Sequence, residues 1–241
     1  MTDANLKTHP VVSRAAWLAA RSDHLAKEKA FTRLRDELSR ERRELPWERV
    51  EKKYVFEGPS GQETLSDLFA GRSQLIIYHF MFDPDWEEGC KSCSWWADNF
   101  DRNAMHLKHR DVTLIAVSKA PYSKLADFKR RMGWSFKWVS SFGTDFNFDF
   151  HVSFTPEEME KEEAYYNYRI TKAFDSEMPG ISVFYKNPDG EVFHTYSCYS
   201  RGLDMMNAGY HYLDLVPKGR DEADQKPYTQ AWVRHRDRYT D

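Results

Sequence analysis

The sequence predicts an α/β fold: a mixed central sheet flanked by helices, preceded by a helical arm and interrupted by an inserted segment. Three observations carry that expectation. Leu75 to Phe82 and Asp111 to Ser118 are nearly continuous apolar runs, as strands buried on both faces require. Between them Trp95 to Leu107 can be helical, so strand, helix and strand close a parallel crossover, right-handed by rule. Finally, Gly180 to Lys186 and Glu191 to Ser197 flank Asn187-Pro188-Asp189-Gly190, a hairpin turn.

The elements follow in order. Ser13 caps a helix that runs to about Leu45, with Trp17, Leu18, Leu25, Phe31, Leu34 and Leu38 as an interrupted apolar stripe. Pro46 ends it by disfavouring helix in the residue before it. This arm, residues 1–46, is expected to pack on the core or to mediate a homo-oligomer. The main domain spans 47–217. It begins with a strand, Val50 to Glu57, a turn at Gly58-Pro59-Ser60-Gly61, and a helix-like segment from Glu63 to Phe69. After the second buried strand, Ser123 to Met132 reads as a helix stopped by Gly133.

Residues 145–177 read as an insertion. Phe142, Phe146, Phe148, Phe150 and Phe154 fall at even spacing, which fits a strand with one aromatic face or an irregular loop. Thr155-Pro156-Glu157-Glu158 carries the signature of a helix start, and the helix is expected to reach about Tyr168. After the hairpin, Leu203 to Leu213 can form a closing helix, and 218–241 is a polar tail, docked or mobile.

Composition narrows the function. The chain has 241 residues, enough for one sizeable core, and a net charge of −3, which creates no basic field for nucleic acid or an anionic membrane. Met1 to Pro10 is polar and lacks the apolar core of a secretory signal; no run approaches a bilayer span. A cytoplasmic protein is expected. Three cysteines are too few for a disulfide framework, so a close pair points to chemistry.

That pair is Cys90 and Cys93, in Gly89-Cys90-Lys91-Ser92-Cys93-Ser94, just after the strand and at the start of the helix. Unpaired N–H groups and the partial positive charge of a helix N-terminus favour a thiolate there. The spacing lets the second sulfur resolve a mixed disulfide formed on the first. Cys90, nearer the helix start, is the expected nucleophile, and Cys93 resolves. Lys91 adds a positive charge, and Trp86, Trp95 and Trp96 can line a groove or simply pack. A zinc site would need a second pair of ligands, so no metal and no cofactor are expected. The expected partner is a protein or small-molecule disulfide or thiol. Cys198 reads as an unpaired thiol, a bridge to either motif cysteine being the alternative.

The order of elements resembles the thioredoxin-like fold, and Tyr54 to Ser118, with Leu65-Ser66-Asp67-Leu68, is similar to its alkyl-hydroperoxide-reductase/TlpA branch. More closely, the chain resembles DUF899, a bacterial family of predicted dithiol-disulfide oxidoreductases. The residues behind this are Tyr78-His79-Phe80-Met81-Phe82, Cys90 to Ser94, Met132-Gly133-Trp134, Asp145-Phe146-Asn147, His194-Thr195-Tyr196-Ser197, Arg201-Gly202 and Leu213 to Arg220. The resemblance implies two further site residues. Pro179 would open its strand with a cis peptide facing the cysteines, leaving the preceding backbone free to pair with a substrate strand. His79 stands where thioredoxins keep a buried acid for the resolving thiol, and would serve as that base; a histidine hydrogen-bonded inside a strand is the plainer alternative. Peroxiredoxin chemistry is disfavoured, because Pro84 precedes Cys90 by six residues rather than seven and no threonine lies between. The non-enzymatic alternative is a binding module that uses the aromatic insertion to hold a partner or small ligand.

Overall fold

The computed structural model describes residues 9–240, so the first eight residues of the polar N-terminal stretch and Asp241 lie outside the described residues. In chain order the elements are α1 (Arg14–Arg43), β1 (Glu48–Arg49), β2 (Val55–Gly58), β3 (Gly61–Thr64), β4 (Gln74–His79), α2 (Lys91–Phe100), α3 (Asn103–Lys108) and β5 (Val112–Ser118). They continue with α4 (Tyr122–Met132), β6 (Lys137–Ser140), α5 (Phe146–Asp149), α6 (Pro156–Lys161), β7 (Ala164–Tyr166), β8 (Arg169–Thr171), β9 (Gly180–Lys186), β10 (Val192–Tyr199) and α7 (Ala208–Leu213).

The main sheet has eight strands in the order β1-β10-β9-β4-β5-β6-β2-β3. β4 runs parallel to β5, with α2 and α3 crossing between them, and antiparallel to β9, which forms the hairpin with β10. The order β10-β9-β4-β5, with the dithiol helix leaving the first of the parallel strands, is the thioredoxin-like arrangement, and the domain has that fold. β6 extends the parallel pair, and the β2–β3 hairpin closes the far edge.

Side-chain alternation along β4 divides the core between the two faces of the sheet. Leu75 and Ile77 point into one cluster with Ile115, Val117, Phe146, Phe150 and Phe184. Tyr78, Phe80 and, just past the strand, Phe82 point into the other, with Cys93, Trp96, Phe100, Trp134 and Trp138. Each fully buried large apolar side chain contributes roughly 1.5–3 kcal/mol. The polar atoms of the second cluster are satisfied within it: Trp138 Nε1 donates to Ser118 Oγ at 3.0 Å and Trp96 Nε1 to the Leu203 carbonyl at 2.9 Å.

Several elements differ from the sequence expectation. Glu63 to Phe69 is helical only at its end: β3 takes its first residues, and a 3-10 helix at Asp67–Phe69 follows, pinned by Thr64 N–H donating to Asp67 Oδ2 at 2.8 Å. The dithiol helix breaks at Asp101, whose carboxylate turns aside to accept the N–H groups of Ser135 at 2.7 Å and Phe136 at 3.0 Å. β6 has only two buried apolar side chains of its own, Trp138 and Val139, too short a pattern to show as a strand.

Within the insertion, Phe146 and Phe150 are four apart on α5 and the turn after it, so the spacing that suggested a strand is a helical one. The helix begun by Thr155 has its capping box, but Glu162 takes a left-handed conformation and ends it at Lys161. The β7–β8 hairpin replaces the rest. The closing segment is a 3-10 turn, Ser200–Met206, followed by α7. The arm α1 has its Ser13 cap, and none of its residues is buried. Its end meets the domain, with the Arg42 guanidinium 4.8 Å over Tyr196.

Candidate active site

The loop after β4 is braced so that it delivers Cys90 to the start of α2. Cys90 N–H donates to the Met81 carbonyl at 3.1 Å. Lys124 Nζ ties the carbonyls of Pro84 and Trp86 at 2.6 and 2.9 Å. A Cβ on Gly89 would stand 2.8 Å from the Phe80 ring, so only glycine lets the chain pass there. The C-terminal residues close over this loop: His235 Nε2 donates to the Gly89 carbonyl at 2.8 Å, and Val233 is buried beside it.

Cys90 is the N-cap of α2, its sulfur accepting the Cys93 N–H at 3.4 Å. Hydrogen bonding from the Cys93 thiol holds Cys90 below the ordinary thiol range against the opposing effect of burial. The N–H groups of Cys93 and Ser92 add to this, and Asp175 works against it. Cys93, one turn inside and buried, is pushed well above the ordinary thiol range, first by burial and then by Cys90. The pair is thus split into a half-exposed thiol disposed to ionise and a buried one disposed to keep its proton. Cys90, Cys93 and Cys198 are all free thiols.

The side chain that faces Cys93 from β4 is Tyr78, held neutral chiefly by burial; its hydroxyl acts to lower the Cys93 pKa against the effect of burial. Alternation along β4 was the signal for it. The same alternation sends His79 to the opposite face, where Nε2 meets Ser182 Oγ at 2.9 Å and the ring stacks on Phe150 at 5.8 Å. Burial drives its pKa down to about 3, so His79 is a neutral group behind the sheet and is not brought to the thiols.

Pro179 does open β9 beside the end of β4, but its peptide bond is trans; among the described residues only Lys226–Pro227 is cis. The backbone expected to stay free is already used. Met178 N–H donates to the Val152 carbonyl at 2.8 Å, and the Pro179 carbonyl accepts the Tyr166 hydroxyl at 2.7 Å. Residues 176–178 run antiparallel to 152–154.

The remaining candidates pack. Trp95 lies against Gly209, Tyr210 and Trp232, and Trp96 is buried. Cys198 sits two strands from Tyr78 in the row Cys198–Ile181–Tyr78, its thiol facing the Gly202 carbonyl at 3.7 Å. Burial raises it above the ordinary thiol range. Of the aromatic rings in and before the insertion, Phe146 and Phe150 are buried in the core and Phe142 is exposed, while Phe148 and Phe154 line a cleft of about 390 Å³ with His151 and Tyr165. A cleft of about 640 Å³ lies at the root of the arm, lined by Leu45, Tyr168, Tyr196 and Cys198 but not by the motif cysteines.

Sequence reasoning missed the carboxylates around the pair. Asp175 acts on Cys90, and Asp83 accepts Ser176 Oγ at 3.0 Å. Behind them Glu177 is buried, hydrogen-bonded by Ser153 and Asn147 and 3.8 Å from Lys119 Nζ; burial raises it to about 7. Among the described residues no three His, Cys, Asp or Glu side chains group as a metal site, and no helix is long and apolar enough to cross a membrane.

Solved structures similar to this chain include peroxidoxin BcpB from Mycobacterium tuberculosis, at 14% identity over 67% of this chain and 93% of that one, TM-score 0.45. A cysteine-to-serine variant of PrxQ from Xylella fastidiosa matches at 11% identity over 66% and 89%, TM-score 0.40. A putative thiol:disulfide interchange protein DsbE from Chlorobium tepidum matches at 12% over 68% and 94%, TM-score 0.39. No curated protein matches the sequence. The family model of DUF899, described as bacterial protein of unknown function, matches residues 6–239, and the chain belongs to that family.

Proposed function

We propose that this protein is a thiol–disulfide oxidoreductase working through Cys90 and Cys93, in a reducing, cytoplasmic compartment. One observation carries the reading: Cys90 is the half-buried N-cap of α2, its sulfur accepting the Cys93 N–H at 3.4 Å, with Cys93 buried one turn inside, an arrangement that favours thiolate on Cys90 and thiol on Cys93. Cys90 thiolate attacks one sulfur of a substrate disulfide and releases the other as a thiolate. Cys93 then gives up its proton and attacks Cys90 Sγ, releasing the second substrate thiol and closing the Cys90–Cys93 disulfide. The hydroxyl of Tyr78 donates to the thiolate that forms on Cys93, the position given to His79 by the resemblance. Pro179 shapes the wall of the site by opening β9, with no part in the sulfur chemistry.

The test is the Cys90 titration together with a trapping experiment. Alkylation of Cys90 rises with pH along a curve centred below the ordinary free-thiol value of about 8.5. Cys93→Ser holds hydroxyethyl disulfide as a stable mixed disulfide on Cys90. A Cys90 that titrates at or above the free value, with no mixed disulfide formed, removes this function.

A further inference from the structure

The same site carries information about its substrate, and the inference that follows rests on the oxidoreductase reading. A polypeptide in extended form is recognised by adding a strand to an unpaired main-chain edge. Beside Cys90 the chain offers the segment that leads into β9, since Asp175 is close enough to act on the thiol. That edge is filled from within. Phe154 N–H donates to the Ser176 carbonyl at 3.0 Å, Met178 N–H to the Val152 carbonyl at 2.8 Å, and Tyr166 caps Pro179.

What the site does offer is charge. Lys91, next to Cys90, donates from Nζ to the Ala231 carbonyl at 2.9 Å, and Arg234 donates from Nη1 to the same oxygen at 3.0 Å. Two cations therefore converge on one neutral acceptor. Their other contacts are the Tyr228 ring, 5.6 Å from Lys91 Nζ, and the Val233 carbonyl, 3.3 Å from Arg234; among the described residues neither has a carboxylate partner. The Asp175 carboxyl also acts on the thiol, and its own bond is to the Ser176 N–H at 2.8 Å. Two cations suit carboxylates and one acid suits an ammonium group; Lys91 follows Cys90 in the chain and converges with Arg234, and Asp175 acts on the Cys90 thiol.

We propose that the substrate is a low-molecular-weight disulfide bearing carboxylates, of the amino-acid or short-peptide kind, rather than an extended polypeptide. In one turnover the disulfide R–S–S–R takes two electrons and two protons from the dithiol and leaves as two thiols, while Cys90 and Cys93 become a disulfide.

Single-turnover rates of the reduced protein with three disulfides decide the matter: oxidised glutathione, neutral hydroxyethyl disulfide and the interchain disulfides of insulin. Oxidised glutathione is expected to react fastest and insulin slowest. In the Lys91→Ala, Arg234→Ala double variant the ratio of the glutathione rate to the hydroxyethyl disulfide rate falls about fivefold, the scale of two partly exposed charges. Taking the ratio cancels any change in Cys90 ionisation. Insulin reacting faster than oxidised glutathione, or an unchanged ratio in the double variant, overturns the substrate class while leaving the dithiol function standing. No reaction with any of the three overturns both.

Discussion

Two neighbouring residues of β4, Tyr78 and His79, face opposite sides of one sheet, and the contrast between those sides explains where the chemistry lies. Both are buried, and burial drives each toward its neutral form. Tyr78 shares its face with Cys93 and α2, so its hydroxyl is available when a thiolate must be stabilised. His79 shares the other face with Phe146, Phe150 and Ser182, where no sulfur is present. Chemical type alone points to the histidine. Position in a period of two points to the tyrosine, and position wins because a side chain cannot act through the sheet.

The sharpest way to break the comparison is to remove the sulfur that the Tyr78 face serves. Cys90→Ser abolishes thiol–disulfide exchange. Serine is itself a good N-cap and can accept the Cys93 N–H, so urea stability changes by about 0.5 kcal/mol or less. Exchange surviving in this variant transfers the chemistry to Cys198 and removes the special role of the α2 face.

Behind the carboxylates near the pair, proton chemistry is expected in stability rather than in catalysis. Glu177 is held by Asn147, next to Phe146 of the His79 face. Its pKa is raised to about 7 from an ordinary carboxyl value, mainly by burial. The folded protein thus holds a proton that the unfolded chain gives up from about pH 4.3. Its contribution is fully present below that value and is lost as pH rises to about 7, a loss on the order of 3 kcal/mol. Glu177→Gln flattens urea stability between pH 5 and 8. An unchanged slope assigns the pH dependence to another group.

How much of this was legible beforehand follows the range of the interactions. The dithiol at the start of its helix, the Thr155 capping box and the β9–β10 hairpin turn are set by residues within a few positions of one another, and they stand as read. What escaped depends on distant partners. The peptide before Pro179 is trans, and the Met178 N–H before it is used by Val152, far off in the insertion. The bond from Lys91 to Ala231 joins residues 140 positions apart, and no local pattern marks it. Tyr78 is different: β4 had been identified, and counting alternate residues would have turned Tyr78 toward Cys93 and His79 away.

Tyr78→Phe tests that count directly. The ring and its packing against Phe80 and Phe100 remain, and only the hydroxyl is lost. A hydrogen bond to a charged group is worth about 1.5–3 kcal/mol, so release of the Cys93-resolved thiol slows about tenfold or more. The first step, attack by Cys90, is expected to change much less. Stopped-flow traces should therefore show a mixed disulfide that accumulates in the variant and not in the parent. Equal slowing of both steps would mean that Tyr78 merely supports the fold.

The smallest expected effect belongs to His79. In His79→Phe an aromatic ring still packs against Phe146 and Phe150, while the bond to Ser182 Oγ is lost. Ser182 keeps Ser197 as a partner at 2.8 Å, so no buried hydroxyl is left alone. The cost is about 1 kcal/mol of urea stability, the scale of one neutral hydrogen bond. Both exchange steps, measured from pH 6 to 9, are expected to stay within about twofold of the parent, since a group driven down to about 3 stays neutral and does not titrate in that range. A tenfold loss with altered pH dependence would show the two faces to be coupled through the strand, and would return His79 to the thiol chemistry from which the geometry removes it.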